Sequence, residues 1–241
     1  MSKFFVVATP IGNMEDITLR AIRVLKEVDL ILCEDTRETK KILDKYSIST
    51  PTMSYHAKSK LSKTDKIFEL LEEDKNLALV SDAGTPTISD PGAVLISQIK
   101  GKFNLTPSPL SLERRGVGGE VDVQVIPIPG PTALIAALSA SGLPTHEFTF
   151  LGFLPHKKGR ETLFKEIATS ERTVVFYESP HRIMKTLESL DKFCPEKKVC
   201  IARELTKIYE EFKTDSALNL IKYFTENKVK QKGEFVVLVS S

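Results

Sequence analysis

A chain of 241 residues, 41% hydrophobic and 27% charged, can form one large domain or two small ones, each with a real core. Its 34 basic and 32 acidic residues leave a net charge of only +2, so any grip on phosphate must come from local clusters. Three cysteines without C-x-x-C spacing and four scattered histidines form no metal-ligand motif and fit a reducing compartment. No apolar stretch reaches the length of a membrane span, and the N-terminus opens directly on a strand, so a cytoplasmic protein without a metal is expected.

In chain order, residues 4–8 read as an apolar strand that breaks at the turn TPIGN, 9–13. Asp16 is expected to cap the next helix, in which Ala21, Leu25 and Val28 recur at helical spacing. Residues 29–33 form a buried strand ending in EDTR, 34–37, with a helix through Ile42 and Leu43 behind it. A short strand over 52–55 and a helix marked by Ile67, Leu70 and Leu71 precede the strand LALV, 77–80. This repeated order of strand, polar loop and helix predicts a parallel α/β sheet.

The strand LALV runs into SDAGTPTISDPG, 81–92, the most informative stretch of the chain. An open α/β sheet places its ligand at the carboxyl ends of the strands, in loops of this kind. Gly84 and Gly92 admit positive φ and close approach, while Pro86 and Pro91 stiffen the path and Asp82 and Asp90 supply acceptors. After a helix to about residue 100, the segment 101–120 has no apolar period and is expected to be a flexible surface insertion. A strand over 123–128 leads to PGPTA, 129–133, and an apolar helix, whose N-terminus faces the same crevice.

SGLP, 141–144, reads as a hinge, giving domains 1–141 and 142–241. The second contains a strand over 148–153, the basic loop LPHKKGR at 154–160, and a helix to about 168. A strand over 173–177, a helix starting at Ser179-Pro180, a strand over 199–202, the loop RELTK at 203–207, a helix over 218–224 and a strand over 234–239 follow.

Nine motifs now stand in register: TPIGN, EDTR, SYH at 54–56, SDAGTPTISDPG, PGPTA, GFLPHKKG at 152–159, ESPHR at 178–182, ARELTK at 202–207 and KGEFVVLV at 232–239. With them the chain closely resembles the bacterial small-subunit ribosomal RNA 2′-O-methyltransferase I family of the tetrapyrrole (corrin/porphyrin) methylase superfamily. The resemblance covers residues 4–239 except 101–120. It implies the two-domain tetrapyrrole methylase fold, each domain a mostly parallel or mixed sheet flanked by helices, with S-adenosyl-L-methionine in the cleft between them. It also implies a homodimer, and as acceptor the ribose 2′-hydroxyl of a cytidine in the decoding region of the 16S ribosomal RNA of the small ribosomal subunit. By the family's pattern Pro10, Asp82, Gly84, Thr85, Pro131, Thr132 and Ala133 belong to the cofactor, with Tyr177 a further candidate for covering the adenine.

The residues read by themselves agree with that cofactor. No G-x-G-x-x-G follows the first strand, which disfavours an ordinary dinucleotide site. Backbone groups of 82–87 and 130–134 suit a ligand that carries no phosphate, although Ala133 and Leu134 also read as plain helix core. A ribose hydroxyl is a poor nucleophile near neutral pH, so a carboxylate should assist it, with Glu34, Asp35 and Asp90 at strand ends as candidates. The alternative is structural: Asp35 as a helix cap, with Glu34 paired to Arg37. Arg37 is a candidate phosphate anchor. Lys157, Lys158, Arg160, His181, Arg182, Arg203 and Lys207 lie in loops after strands of the second domain and are expected to grip RNA phosphates together, each one alone reading more readily as a solvated surface charge.

Three departures from the family pattern stand out. Ala57-Lys58-Ser59-Lys60 replaces a more acidic or His- and Asn-containing run. The last strand lies near the end of the sequence where many relatives continue with a helical piece, so a changed RNA affinity is expected. The segment 101–120 is inserted between the two cofactor loops. Two rival functions are a small-molecule tetrapyrrole methylase, opposed by EDTR, ESPHR and RELTK, and a non-catalytic ribosome-binding module, opposed by the intact cofactor loops.

Overall fold

A computed structural model describes residues 1–56, 61–90, 92–103 and 121–240. Pro91, the departure at 57–60 and residues 104–120 of the expected insertion lie outside them. The chain forms two units, Met1–Pro131 and Thr132–Ser241. The division precedes the helix after PGPTA, so that helix travels with the second unit, whereas the hinge was expected at 141–144.

The first unit is a five-stranded parallel sheet of β1 (Ser2–Val7), β2 (Leu30–Cys33), β3 (Thr52–Ser54), β4 (Leu77–Leu79) and β5 (Val123–Ile128), in the order β3-β2-β4-β1-β5. Helices α1 (Leu19–Glu27), α2 (Thr36–Lys45), α3 (Leu61–Glu72) and α4 (Gly92–Lys102) complete it. Successive strand side chains point to opposite faces, and here both faces are covered. Ile31, Cys33, Ala78 and Val80 pack with Ala21, Val24 and Leu25 of α1 on one side. Leu32, Leu77 and Leu79 pack with Ile67 and Leu71 of α3 and Leu95 and Ile99 of α4 on the other. That is why these strands are unbroken apolar runs in the sequence. The helix α4 extends two residues into the segment read as insertion, and Phe103 beyond it is buried edge-on against Phe68.

Local capping differs from the reading at one point. Asp16 ends a short 3-10 turn, Met14–Asp16, capped by Asn13, and the hydroxyl of Thr18 caps α1 by accepting from the Ala21 N–H at 3.0 Å. Asp16 is one turn too early; Thr18 is the residue immediately before the helical backbone begins.

The second unit begins with α5 (Ala133–Ala140). Its mixed sheet runs β6-β7-β10-β8-β9, with β6 (Phe148–Phe153), β7 (Thr173–Glu178), β8 (Lys198–Arg203), β9 (Glu211–Ser216) and β10 (Phe235–Ser240). β6 and β7 are parallel; β10 pairs antiparallel with β7 and β8, and β9 antiparallel with β8. Helices α6 (Arg160–Thr169), α7 (Ile183–Phe193) and α8 (Ala217–Glu226) bury Phe164, Ile183, Leu187, Leu190, Leu220 and Phe224 against this sheet. α7 starts later than Ser179-Pro180: residues 179–182 form a turn in which the Arg182 and Ile183 N–H groups both donate to Ser179 O. β9 has no counterpart in the sequence reading, because EFKTDS carries no apolar run; as a half-buried edge strand it needs none.

Candidate active site

The carboxyl ends of the first unit's strands bring TPIGN, EDTR, SDAGTPTISDPG and PGP together. Thr9 and Gly84 pair as an isolated bridge: the Thr9 N–H donates to Gly84 O at 2.9 Å and the Gly84 N–H to Thr9 O at 3.0 Å. The Thr9 hydroxyl donates to Ser81 O at 3.1 Å, and the Thr85 hydroxyl donates to Pro131 O at 3.0 Å. Gly84 holds φ +82°, and a Cβ there would lie 3.3 Å from Ile11 Cγ2 and 3.7 Å from Pro131 O. A Cβ on Gly130 would approach Ala8 Cβ to 2.8 Å. Both glycines are therefore required where three loops converge. Pro10 is buried in this junction, and Thr85 and Pro131 are half-buried.

Further along the same loop, Thr87 and Ser89 have φ +78° and +70° without being glycines. The Asp90 carboxylate holds Thr87 there, accepting from the Thr87 N–H at 2.8 Å with each oxygen, and it also accepts from the Gly92 N–H at 2.8 Å. Such strain persists only where the surroundings enforce it and clusters at ligand sites. Asp90 is thereby committed to shaping the loop and start of α4, not to proton transfer.

Asp35 caps α2, accepting from the Arg37 N–H at 2.8 Å, and its carboxylate takes the Arg37 guanidinium in a fork, Nε to Oδ1 at 3.0 Å and Nη2 to Oδ2 at 2.6 Å. These bonds hold the Asp35 carboxyl down at about 2. The partner of Arg37 is thus Asp35, where the structural alternative had paired it with Glu34. The Glu34 carboxyl behaves oppositely: desolvation, then the negative charges of Asp82 and Asp90, push it above the ordinary carboxylate range, with His56 opposing. Asp82 is exposed, and its Oδ1 accepts from the Asp35 N–H at 3.0 Å.

In the second unit the phenol of Tyr177, at the end of β7, is influenced by the polar groups of the Leu134 backbone and the Thr132 side chain at the start of α5. Burial raises its ionisation above the ordinary phenol. Phe150 and Phe153 pack against its ring with centroids at 5.0 and 5.5 Å. Thr132 and Ala133 are half-buried, and Leu134 is core, as the bland reading of that residue had it.

The basic residues of this unit divide sharply. Lys157, Lys158 and His181 are exposed. Arg160 and Arg182 are not: their side chains are only 16% and 14% exposed, and both pair with Glu178, which is buried. Arg203 is 7% exposed and donates to Lys232 O at 2.7 Å and Tyr209 O at 3.1 Å. Lys207 pairs with Glu204 at 3.0 Å and Glu234 at 2.8 Å. The expectation of three phosphate-gripping arginines is corrected accordingly: the fixed fork of a guanidinium suits carboxylates and carbonyls inside a fold as well as phosphates outside it. Glu178 and Thr186 were missed in the sequence; an acid ending an apolar strand with an arginine four residues on was the available signal for Glu178, and Thr186 gave none.

Among the described residues no group of His, Cys, Asp and Glu could hold a metal ion, and no helix is long and apolar enough to cross a membrane. The profile of the tetrapyrrole (corrin/porphyrin) methylases matches residues 3–219. The ribosomal RNA small subunit methyltransferase I of Synechocystis is 44% identical, with 100% of this chain and 79% of that protein covered. The protein of the same name from Thermotoga maritima is 42% identical, with 100% and 99% covered. Among solved structures, the methyltransferase CobJ superposes with a TM-score of 0.67 over 100% of this chain and 95% of its own; at 19% identity this is a likeness of fold. With its two sheets, its converging loops and relatives of this closeness, the chain belongs to the ribosomal RNA small subunit methyltransferase I family, within the tetrapyrrole (corrin/porphyrin) methylases.

Proposed function

We propose that this chain methylates the ribose 2′-hydroxyl of a cytidine in the decoding region of 16S ribosomal RNA in the small ribosomal subunit, as a cytoplasmic homodimer. Family membership makes it a methyltransferase, with ribosomal RNA as the acceptor and S-adenosylmethionine as the methyl donor. The observation that carries the reading is the converging junction of Thr9, Gly84, Thr85 and Pro131, with the exposed Asp82 in the same loop and Glu34, whose carboxyl is raised by desolvation and by Asp82, nearby.

The residues fit the cofactor. Gly84, bridged to Thr9, sets the path of the loop, and the exposed Asp82 beside it offers a carboxylate to an ammonium or a ribose hydroxyl. Pro10, Gly84, Thr85 and Pro131 are its proposed seat in the first unit; Thr132 and Ala133 are proposed contacts on the family's pattern alone. Tyr177, whose phenol lies under the influence of Thr132 and Leu134, is proposed to steady the start of α5, with the covering of adenine as the other role, which a Tyr177→Phe variant separates from it. Bound S-adenosylmethionine supplies an electrophilic methyl group on its sulfonium. Glu34 would take the proton of the 2′-hydroxyl that receives the methyl group; a carboxyl held above its ordinary range is better matched to that transfer. Asp35, locked to Arg37 and ionised to about pH 2, is too weak a base and serves as the clamp of Arg37. Arg37 is 86% exposed and can lay its outer edge against an RNA phosphate.

The test incubates the protein with methyl-labelled cofactor and either small ribosomal subunits or tetrapyrroles, then maps the label. A label on one cytidine ribose of the small-subunit RNA supports the reading. Label in a tetrapyrrole, or subunit binding without label, replaces it with the corresponding rival.

A further inference from the structure

Glu178 sits at the end of β7, buried to 2% exposure, with an unusual set of partners. Its Oε1 accepts from the Ser179 N–H at 2.8 Å and lies 2.8 Å from Arg182 Nε. Its Oε2 accepts from the Thr186 hydroxyl at 2.6 Å and lies 3.7 Å from Arg160 Nη2. The same Arg160 Nη2 donates to the Thr186 hydroxyl oxygen at 2.7 Å, and the ring of Phe164 lies 5.1 Å from the guanidinium carbon. A carboxylate taken this far out of water is tolerable only with such complete pairing.

Each arginine has a second hand. Arg160 Nη1 donates to Pro155 O at 3.2 Å, and Arg182 Nη1 donates to Leu154 O at 2.8 Å. Both acceptors lie in the loop 154–159, which carries Lys157 and Lys158 exposed at its crest. Arg182 also belongs to the turn 179–182, which exposes His181. One buried carboxylate therefore fastens, through two guanidiniums, the backbone of the two loops that display Lys157, Lys158 and His181.

We infer that Glu178, Arg160 and Arg182 form a positioning clamp that holds the loop 154–159 so that Lys157 and Lys158 meet RNA phosphates, the arginines themselves touching no RNA. The inference rests on the proposed RNA substrate. Its physical content is preorganisation: a loop fixed before binding loses less freedom when it binds. Lysine is a point charge that a flexible loop would leave unaimed, and the clamp supplies the aim.

Salt dependence separates contact from positioning. Binding of small ribosomal subunits is measured against KCl concentration for the wild type, Lys157→Ala/Lys158→Ala, Arg160→Lys, Arg160→Gln and Arg182→Lys, with cofactor affinity and thermal unfolding followed in parallel. The double lysine variant should flatten the log–log salt slope by roughly 1.4–1.8, the release expected for two phosphate contacts. The arginine variants should keep the wild-type slope and cofactor affinity yet bind about five- to tenfold more weakly, because lysine or glutamine cannot reproduce the two-handed fork. A flattened slope in Arg160→Gln, or wild-type affinity in Arg160→Lys, overturns the clamp. Arg160→Lys is decisive even if Arg182→Lys fails to fold, since Arg160 lies farther from the buried carboxylate, 3.7 Å against 2.8 Å for Arg182. If the wild type binds no ribosomal RNA, the substrate reading fails instead; faster amide exchange over 155–159 in Arg160→Lys then still reports the clamp, and unchanged exchange removes it.

Discussion

Asp35 and Asp82, 47 positions apart in the chain, meet through one hydrogen bond in which the Asp35 backbone N–H donates to Asp82 Oδ1 at 3.0 Å. It ties the loop after β2 to the loop after β4. Asp82 thereby sits beside the loop that carries Glu34, and its negative charge, after desolvation, helps raise the Glu34 carboxyl.

That placement predicts a pH effect. Glu34 is raised, so as a base it becomes active only as pH climbs above the ordinary carboxylate range, and kcat should show an acidic limb there. Asp82→Asn removes a neighbouring negative charge, favours ionised Glu34, and should move the limb to lower pH at saturating cofactor. Glu34→Gln should lower kcat about 100-fold or more while leaving cofactor affinity near wild type. A limb that stays put in Asp82→Asn, or full activity in Glu34→Gln, would remove Glu34 from the mechanism.

Gly130→Ala tests the junction of loops. The added Cβ would sit 2.8 Å from Ala8 Cβ, closer than real carbon contacts allow, so the turn after β5 must shift. A destabilisation of about 1–3 kcal/mol is expected from forced overpacking. Cofactor affinity, measured by calorimetry, should fall with it, whereas Gly101→Ala, with nothing within 4 Å of its Cβ, should leave affinity untouched.

Tyr177→Phe keeps the ring among Phe150 and Phe153 but deletes the phenol hydroxyl that Thr132 and Leu134 influence. If that hydroxyl steadies the start of α5, its loss should cost about 1 kcal/mol, and a similar amount in cofactor affinity, near fivefold. If the ring instead covered adenine, Phe would bind as well as Tyr, and only Tyr177→Ala would weaken binding.

The first unit's strand ends were readable because burial on both faces leaves an apolar run, and glycine, proline and aspartate then mark the turn. The bonding of Asp90 to Thr87 and Gly92 makes physical sense of SDAGTPTISDPG as a rigid, strained loop, with Asp82 to Thr85 facing the proposed ligand and Asp90 serving the loop itself. The sequence alone determined the strand-loop-helix order, the motifs and the family they belong to, since those depend on local patterns of burial and backbone freedom. Tertiary structure alone decided which charges face water. Arg160, Arg182 and Arg203 look like Lys157 and Lys158 in the sequence, all basic residues in or beside loops after strands. Whether a guanidinium turns inward depends on an acceptor brought from elsewhere: Glu178 and Pro155 for Arg160, Glu178 and Leu154 for Arg182, and the Lys232 carbonyl, 29 positions away, for Arg203. β9 was hidden for the same reason, its pairing being supplied by β8 and not by any apolar run of its own.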